Sequence, residues 1–186
     1  MSYTYFTATD REMEDIFRLR YKCYRRGGAI SSNTGKFFCD KYDGLANTAV
    51  YGIRQNNKLV ASIRLHTLTS TMYACPAWEA FGDHVSPVLE QHSSAMEGSR
   101  FVVDPMVGRT RKHLALFTLQ LPLRIAIKHK IEIGFAAVRE KHIGFYKTAG
   151  HFEQVSEPRP YHGLKTNLAL LQVNIPQNRI LLQSAS

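Results

Sequence analysis

Ala95–Pro105, AMEGSRFVVDP, holds a strand-forming run of Phe101, Val102 and Val103 that two opposite charges, Glu97 and Arg100, break into from the N-terminal side. Charged side chains seldom enter a buried strand unpaired. Two readings stay open: a structural ion pair between Glu97 and Arg100 beneath a sheet, or a strand that carries an active site. The same misplacement recurs twice. Asp40 and Asp43 interrupt FFCDKYDG, and Arg64 sits inside LVASIRLHTL, where alternation puts Val60, Ser62 and Arg64 on one face. Three such insertions point to one shared site.

Around this stretch, 186 residues that are 44% hydrophobic, with seven prolines, suit one compact domain able to bury most of its apolar surface. Residues 1–176 are expected to form it, with 177–186 as a C-terminal tail. No apolar run approaches the ~20 residues of a membrane span, and MSYTYFTATDREMEDIF lacks the basic start and apolar core of a signal peptide. The expected location is cytoplasmic. Cys23, Cys39 and Cys75 are odd in number and too widely spaced for CxxC chemistry or a zinc site, so free thiols are expected. The histidines His66, His84, His113, His129, His142, His151 and His162 are scattered and show no metal-ligand spacing. The formal net charge of +9 asks for an anionic partner: nucleic acid, a membrane surface, or an acidic protein or phosphate-bearing substrate.

Tyr3 to Thr7 reads as a short strand, and Thr9 or Asp10 caps a helix running to about Arg25 and ended by Gly27-Gly28. Ile16, Leu19 and Cys23 share one face of that helix. GGAISSNTGK, Gly27 to Lys36, is a small, polar loop. Thr48–Arg54 and Lys58–Leu68 are strands joined by QNN in a tight hairpin. Ser70 to Ser94 gives only weak helical signals, and its structure is left open. A helix with Leu114, Phe117, Leu121 and Ile125 on one face follows Asp104, kinked at Pro122. Then come a doubly buried strand at Ile131–Val138, a helix at Glu140–Thr148 stopped by Gly150, and a last strand at Leu164–Val173.

This order describes an α/β domain with a mixed sheet, antiparallel first and crossover-connected later. It is the order of the acetyltransferase, GNAT-like fold. Over about residues 15 to 175 the chain resembles that fold's branch of acyl-homoserine-lactone (autoinducer) synthases and N-acyl amino acid synthases. The resemblance is carried by Arg20 with Tyr24 on the first helix, the D-x-x-D of Asp40 and Asp43, Arg64 in S-I-R-L, and E-x-S-R-F from Glu97 to Phe101. FYKTAGHF, Phe145 to Phe152, is similar to the F-Y-x-x-x-G-F segment of ordinary acyltransferases, in which a tyrosine hydroxyl lies near the leaving thiol; Tyr146 takes that place. Autoinducer synthases usually have a glutamate two residues before the first aspartate and a tryptophan in the preceding loop. Here Phe38 stands at the first position and no Trp at the second. The resemblance therefore implies an N-acyl amino acid synthase that joins a long fatty acyl chain to a tyrosine-like free amino acid, with the S-adenosylmethionine-using autoinducer synthase as the alternative.

Such a reaction needs a neutral amine to attack a thioester, a sink for its proton, a stabilised oxyanion and a departing thiolate, with no covalent enzyme intermediate. Glu97 is the candidate base, directly or through water, or else the residue that orients Arg100. Backbone amides of Phe101 to Val103 are candidates for the oxyanion if a bulge frees them, and Tyr146 for protonating the sulfur. Arg20, Arg64 or Arg100 suits the acceptor's carboxylate; Asp40 and Asp43 suit its ammonium or fix the arginines. Arg109, Arg111 and Lys112, at a helix N-terminus, are candidates for the phosphate of a carrier-bound pantetheine. Coenzyme-A-binding acyltransferases have a Q/R-x-x-G-x-G/A loop there, and this chain has only Gly108. That fits an acyl carrier protein as donor, with a coenzyme A thioester as second choice and no other cofactor or metal. Phe117, Leu121, Leu123 and Phe135 are available to an acyl tail, and the lipidic product implies peripheral membrane contact. Two rivals have no catalysis: a nucleic-acid-binding module, whose cations here form no single stripe, and a carrier-binding protein without turnover.

Overall fold

Thr9 is where the chain turns from strand to helix in the computed structural model, which describes residues 2–178. β1 (Thr4–Thr7) precedes it and α1 (Asp10–Arg26) follows. Glu12 accepts the Thr9 amide at 2.9 Å, one arm of a capping box, and Arg25 and Arg26 sit where the helix dipole favours cations. β2 (Thr48–Gln55) and β3 (Lys58–Leu68) form the expected hairpin. Asn56 and Asn57 turn it at φ 50° and 61°, a conformation that asparagine tolerates better than most residues.

The stretch left open by sequence is α2 (Pro76–Gln91). Cys75 caps it by accepting the Trp78 amide, and it bends at Phe81, whose backbone leaves helical angles. β4 (Ala95–Val103), a short 3₁₀ turn (Gly108–Thr110), α3 (Arg111–Lys128), β5 (Ile133–Val138), α4 (Glu140–Gly150), β6 (Glu153–Gln154) and β7 (Ala169–Asn174) complete the chain. The sheet order is β1-β2-β3-β4-β5-β7-β6, and only β4 and β5 run parallel. This is the mixed GNAT-like sheet expected. α1 and α2 cover one face; α3 and α4 cover the other.

α3 continues past Pro122 to Lys128. Other local expectations need correcting. Gly150 does not stop α4; His151 does, in the left-handed conformation at φ 51°. Gly150 is instead needed for packing, since a Cβ there would meet the Phe152 ring at 2.8 Å. The last strand begins at Ala169 rather than Leu164, because Tyr161–Leu164 forms a turn around Gly163 at φ 72°. Of the expected tail, residues 179–186 lie outside those described, and Pro176–Asn178 makes a 3₁₀ turn.

β4 and β5 pair only from Ala95↔Ile133 to Gly98↔Ala136, although β4 continues to Val103. The two strands fork after Gly98. Below the fork, the α2 face is closed by Leu68, Phe81, Val85, Phe135 and Leu170. Leu170 is wholly buried, so Leu170→Ala is expected to lower the unfolding free energy by about 2–5 kcal/mol in a urea titration. A loss under about 1 kcal/mol would mean that this face is not packed as described.

Candidate active site

Strict alternation along β4 would send Glu97 and Ser99 to one face and Gly98 and Arg100 to the other. The register shows otherwise. Ser62 pairs with Val102 and Arg64 with Ser99, so the single residue Ile63 stands opposite both Arg100 and Phe101. This is a β-bulge, and Arg100 occupies it at φ 50°. Left-handed backbone at a non-glycine residue costs about 1–3 kcal/mol and is kept where surrounding contacts enforce it. Its effect is to put Ser99 and Arg100 together on the α1 face, while Phe101 turns to the opposite, apolar face beside Phe145 and Tyr146.

On the α1 face the charged residues of all three insertions meet. Asp40 accepts from Arg64 Nη1 at 2.6 Å and from Arg100 Nε at 2.9 Å. Asp43 accepts from Arg20 Nη1 at 2.7 Å and lies 3.0 Å from Arg64 Nη1. Arg64 Nε also donates to Ser99 Oγ at 3.1 Å. The D-x-x-D turn is self-locked: the Asp40 amide donates to the Asp43 carboxylate, and the Tyr42 amide to that of Asp40. Burial alone would raise the Asp40 carboxyl, but the Arg64 hydrogen bond and the charges of Arg100 and Arg64 prevail and hold it well below the usual range. Arg20 is fully buried, yet its Nε and Nη2 have no hydrogen-bond partner among the described residues. Burial lowers its pKa, Asp43 offsets that in part, and Arg64 and Arg100 repel it. The Arg100 guanidinium lies 4.6 Å from the Phe38 ring centre and 5.7 Å from that of Tyr24. Where autoinducer synthases usually have a glutamate, this chain therefore sets an aromatic face against Arg100.

Glu97 does not pair with Arg100. It accepts from, or shares a proton with, His66 Nδ1 at 2.7 Å, and Tyr161 donates to its other oxygen at 3.4 Å. All three are buried. Burial first, then the Glu97 charge, raises the Tyr161 pKa well above its ordinary value, which keeps the phenol a donor. His66 and Tyr161 had not been singled out in the sequence. His66 had a readable signal, since it continues by one step the alternation that places Ser62 and Arg64 on one face; Tyr161 had none.

The other face is apolar. Behind the fork a cavity is lined by Met96, Gly98, Leu123, Tyr146, Phe152 and Ile175 among others; it encloses about 30 Å³. Leu121 is buried in the same cluster, and Phe135, packed in the α2-face cluster, also borders the cavity, while Phe117 packs on Tyr3. The Tyr146 hydroxyl has no protein partner among the described residues, and burial, with Tyr24 and Glu97 adding to it, raises its pKa. At the fork, Asp104 N donates to Val60 O, so by alternation the amide of Val102 also faces β3 and those of Phe101 and Val103 face the gap. The Val103 carbonyl there accepts from Cys23 Sγ at 3.4 Å.

Arg111 and Lys112 are exposed in the first turn of α3, just after the turn that holds Arg109. The first turns of α3 and α4 lie close: burial, then Arg139, Lys141 and Arg111, lowers the His142 pKa to about 4. Among the described residues no group of three or more His, Cys, Asp or Glu is placed to hold a metal ion, and no helix is long and apolar enough to cross a membrane.

Over residues 15–174 the sequence matches the FeeM N-acyl amino acid synthase family. The solved structure of FeeM, an N-acyl amino acid synthase from uncultured soil microbes, is similar with a TM-score of 0.80 at 14% identity, covering 100% of this chain and 98% of that one. The AHL synthase LasI gives 0.68 at 13% identity over 94% and 90%. The ribosomal-protein-S18-alanine N-acetyltransferase from Escherichia coli gives 0.62 at 12% identity over 94% and 94%. At such identities the structural likeness is one of fold. No curated protein matches the sequence.

The ion network can be tested without substrate. Asp40→Ala strips Arg64 and Arg100 of a shared counter-charge and should cost about 3–5 kcal/mol in urea unfolding at neutral pH. Breaking the exposed Arg18–Glu14 pair with Glu14→Ala should cost under about 1 kcal/mol. Because the Asp40 pKa is lower folded than unfolded, its contribution is fully present above about pH 4 and is lost as the pH falls below that. The gap between wild type and Asp40→Ala should therefore narrow on acidification; a gap independent of pH would contradict the ion-pair account.

Proposed function

The chain belongs to the FeeM N-acyl amino acid synthase family, and on that premise we propose that it moves a long fatty acyl group from an acyl-carrier-protein thioester to the α-amine of a tyrosine-like free amino acid. N-acyltransferase activity follows from the family and the fold. The finer reading rests on one observation: a forked sheet that has a buried arginine–aspartate cluster on one face and an apolar cavity on the other.

In this reading the thioester carbonyl lies in the fork, the acyl tail enters the cavity and the amino acid sits against the charged face. The amine attacks the carbonyl carbon, forming the C–N bond, and its proton passes to Glu97, directly or through water. Phe101 and Val103 amides hold the oxyanion in a gap where no strand partner competes for them. The C–S bond then breaks, Tyr146 gives its proton to the sulfur, and the proton taken up by Glu97 makes good the one that Tyr146 has lost.

Charge balance supports this assignment. Arg20, Arg64 and Arg100 share two carboxylates, Asp40 and Asp43. One guanidinium is therefore in excess, which is the charge that the acceptor's carboxylate matches. Arg20, with two unpartnered donors, is the best placed to bind it. Tyr24, Phe38 and Tyr42, packed around the arginines, suit an aromatic acceptor side chain. Phe38 in place of a glutamate disfavours the autoinducer reaction. A single turn glycine, Gly108, before a basic helix start suits the one phosphate and acidic surface of a carrier protein better than a diphosphate.

Incubation with acyl-carrier-protein thioesters and an amino acid mixture, followed by mass spectrometry of lipid extracts, should give amide-linked acyl amino acids. Lactones formed from S-adenosylmethionine would replace this reading with the autoinducer one. Glu97→Gln should lower turnover roughly 10²- to 10⁴-fold with unchanged far-UV circular dichroism; full activity would remove Glu97 as the base.

A further inference from the structure

Three glycines lie inside the strands of the central sheet, and two have a packing reason to be there. A Cβ on Gly52 would meet the Phe6 ring at 2.3 Å, and one on Gly134 would meet Val173 at 2.8 Å. Gly98 is different. Its Cβ would lie 3.7 Å from Leu65, 3.8 Å from Ile63 and 3.9 Å from the Phe135 carbonyl, all ordinary contacts, and its φ is not positive. Neither backbone conformation nor neighbouring atoms require glycine here. A glycine inside a strand weakens it relative to alanine, and often marks a bulge, a tight bend, or the close approach of a ligand or another backbone.

The position of Gly98 supplies that ligand. It is the last β4 residue paired with β5, so it stands where the strands part. It also lines the apolar cavity, with Met96 on the same face two residues before. We propose that Gly98 is the threshold over which the acyl chain passes from the fork into the cavity, and that its missing side chain selects long unbranched chains. The proposal rests on the synthase reading for the nature of the occupant. The cavity is small, so a long chain is accommodated by displacing side chains, and Met96, unbranched and flexible, yields most readily. A methyl group at residue 98 would narrow the threshold without disturbing the protein around it.

Two readouts test this. The first is equilibrium binding of cis-parinaric acid, a long unbranched fluorescent fatty acid, to wild type, Gly98→Ala and Gly98→Leu, with Gly144→Ala as control because nothing lies within 4 Å of that exposed glycine's Cβ. Binding should weaken roughly tenfold in Gly98→Ala and further in Gly98→Leu, with Gly144→Ala unchanged. The second is the ratio of kcat/KM for palmitoyl and butyryl thioesters, which should fall by roughly tenfold or more in Gly98→Ala. Wild type that does not bind the acid, or Gly98→Ala that binds it as tightly and keeps the same ratio, overturns the proposal. If the acid binds, the Gly98 variants lose it and yet wild type forms no amide, the threshold stands and the synthase reading falls.

Discussion

Arg100 in a left-handed backbone conformation lets one strand serve two faces of the sheet. Without the extra residue at that point, β4 would carry its guanidinium into the apolar cluster under α3, where no carboxylate waits. With it, Glu97, Ser99 and Arg100 all face α1, and Phe101 returns to the grease. Asp40, with Phe38 and Tyr24 stacked nearby, holds the strained residue in place. The cluster is therefore organised around a bulge, and the bulge is held by the cluster.

The fork between β4 and β5 follows from the same strand. Parallel pairing stops at Gly98, and the next residues of β4 pair with no strand but β3. Backbone amides are thus exposed in the middle of a sheet, between a charged face and an oily one. The proposed reaction, which joins an amino acid to a fatty chain, needs these three environments side by side, and strand geometry more than special residues provides them.

Much of this was legible in the sequence, and the rest was hidden for identifiable reasons. The hairpin at Asn56-Asn57 and the cap at Thr9 are local, and local rules found them. The charges of Asp40, Asp43, Arg64 and Arg100 betrayed themselves by sitting in apolar company. Their pairing did not: nothing local says that Arg100 turns from Glu97, three residues away, to Asp40, sixty residues away in sequence. A bulge leaves no mark in composition, so the partner of Glu97 was misjudged as well, and His66 went unused although alternation pointed to it. α2 was obscured by Gly82 and Pro87 and by its bend at Phe81. The final strand was started too early because the turn at Gly163 lies in an otherwise strand-like stretch.

If the fork works as proposed, one bound molecule spans both faces of the sheet through it. A crystal structure with an N-acyl amino acid product tests it most directly. The carboxylate should lie within hydrogen-bonding reach of Arg20, the amide between Phe101 and Tyr146, and the alkyl chain among Met96, Leu123 and Phe152. A product lying wholly on one face, with head and tail both outside the fork, would contradict it.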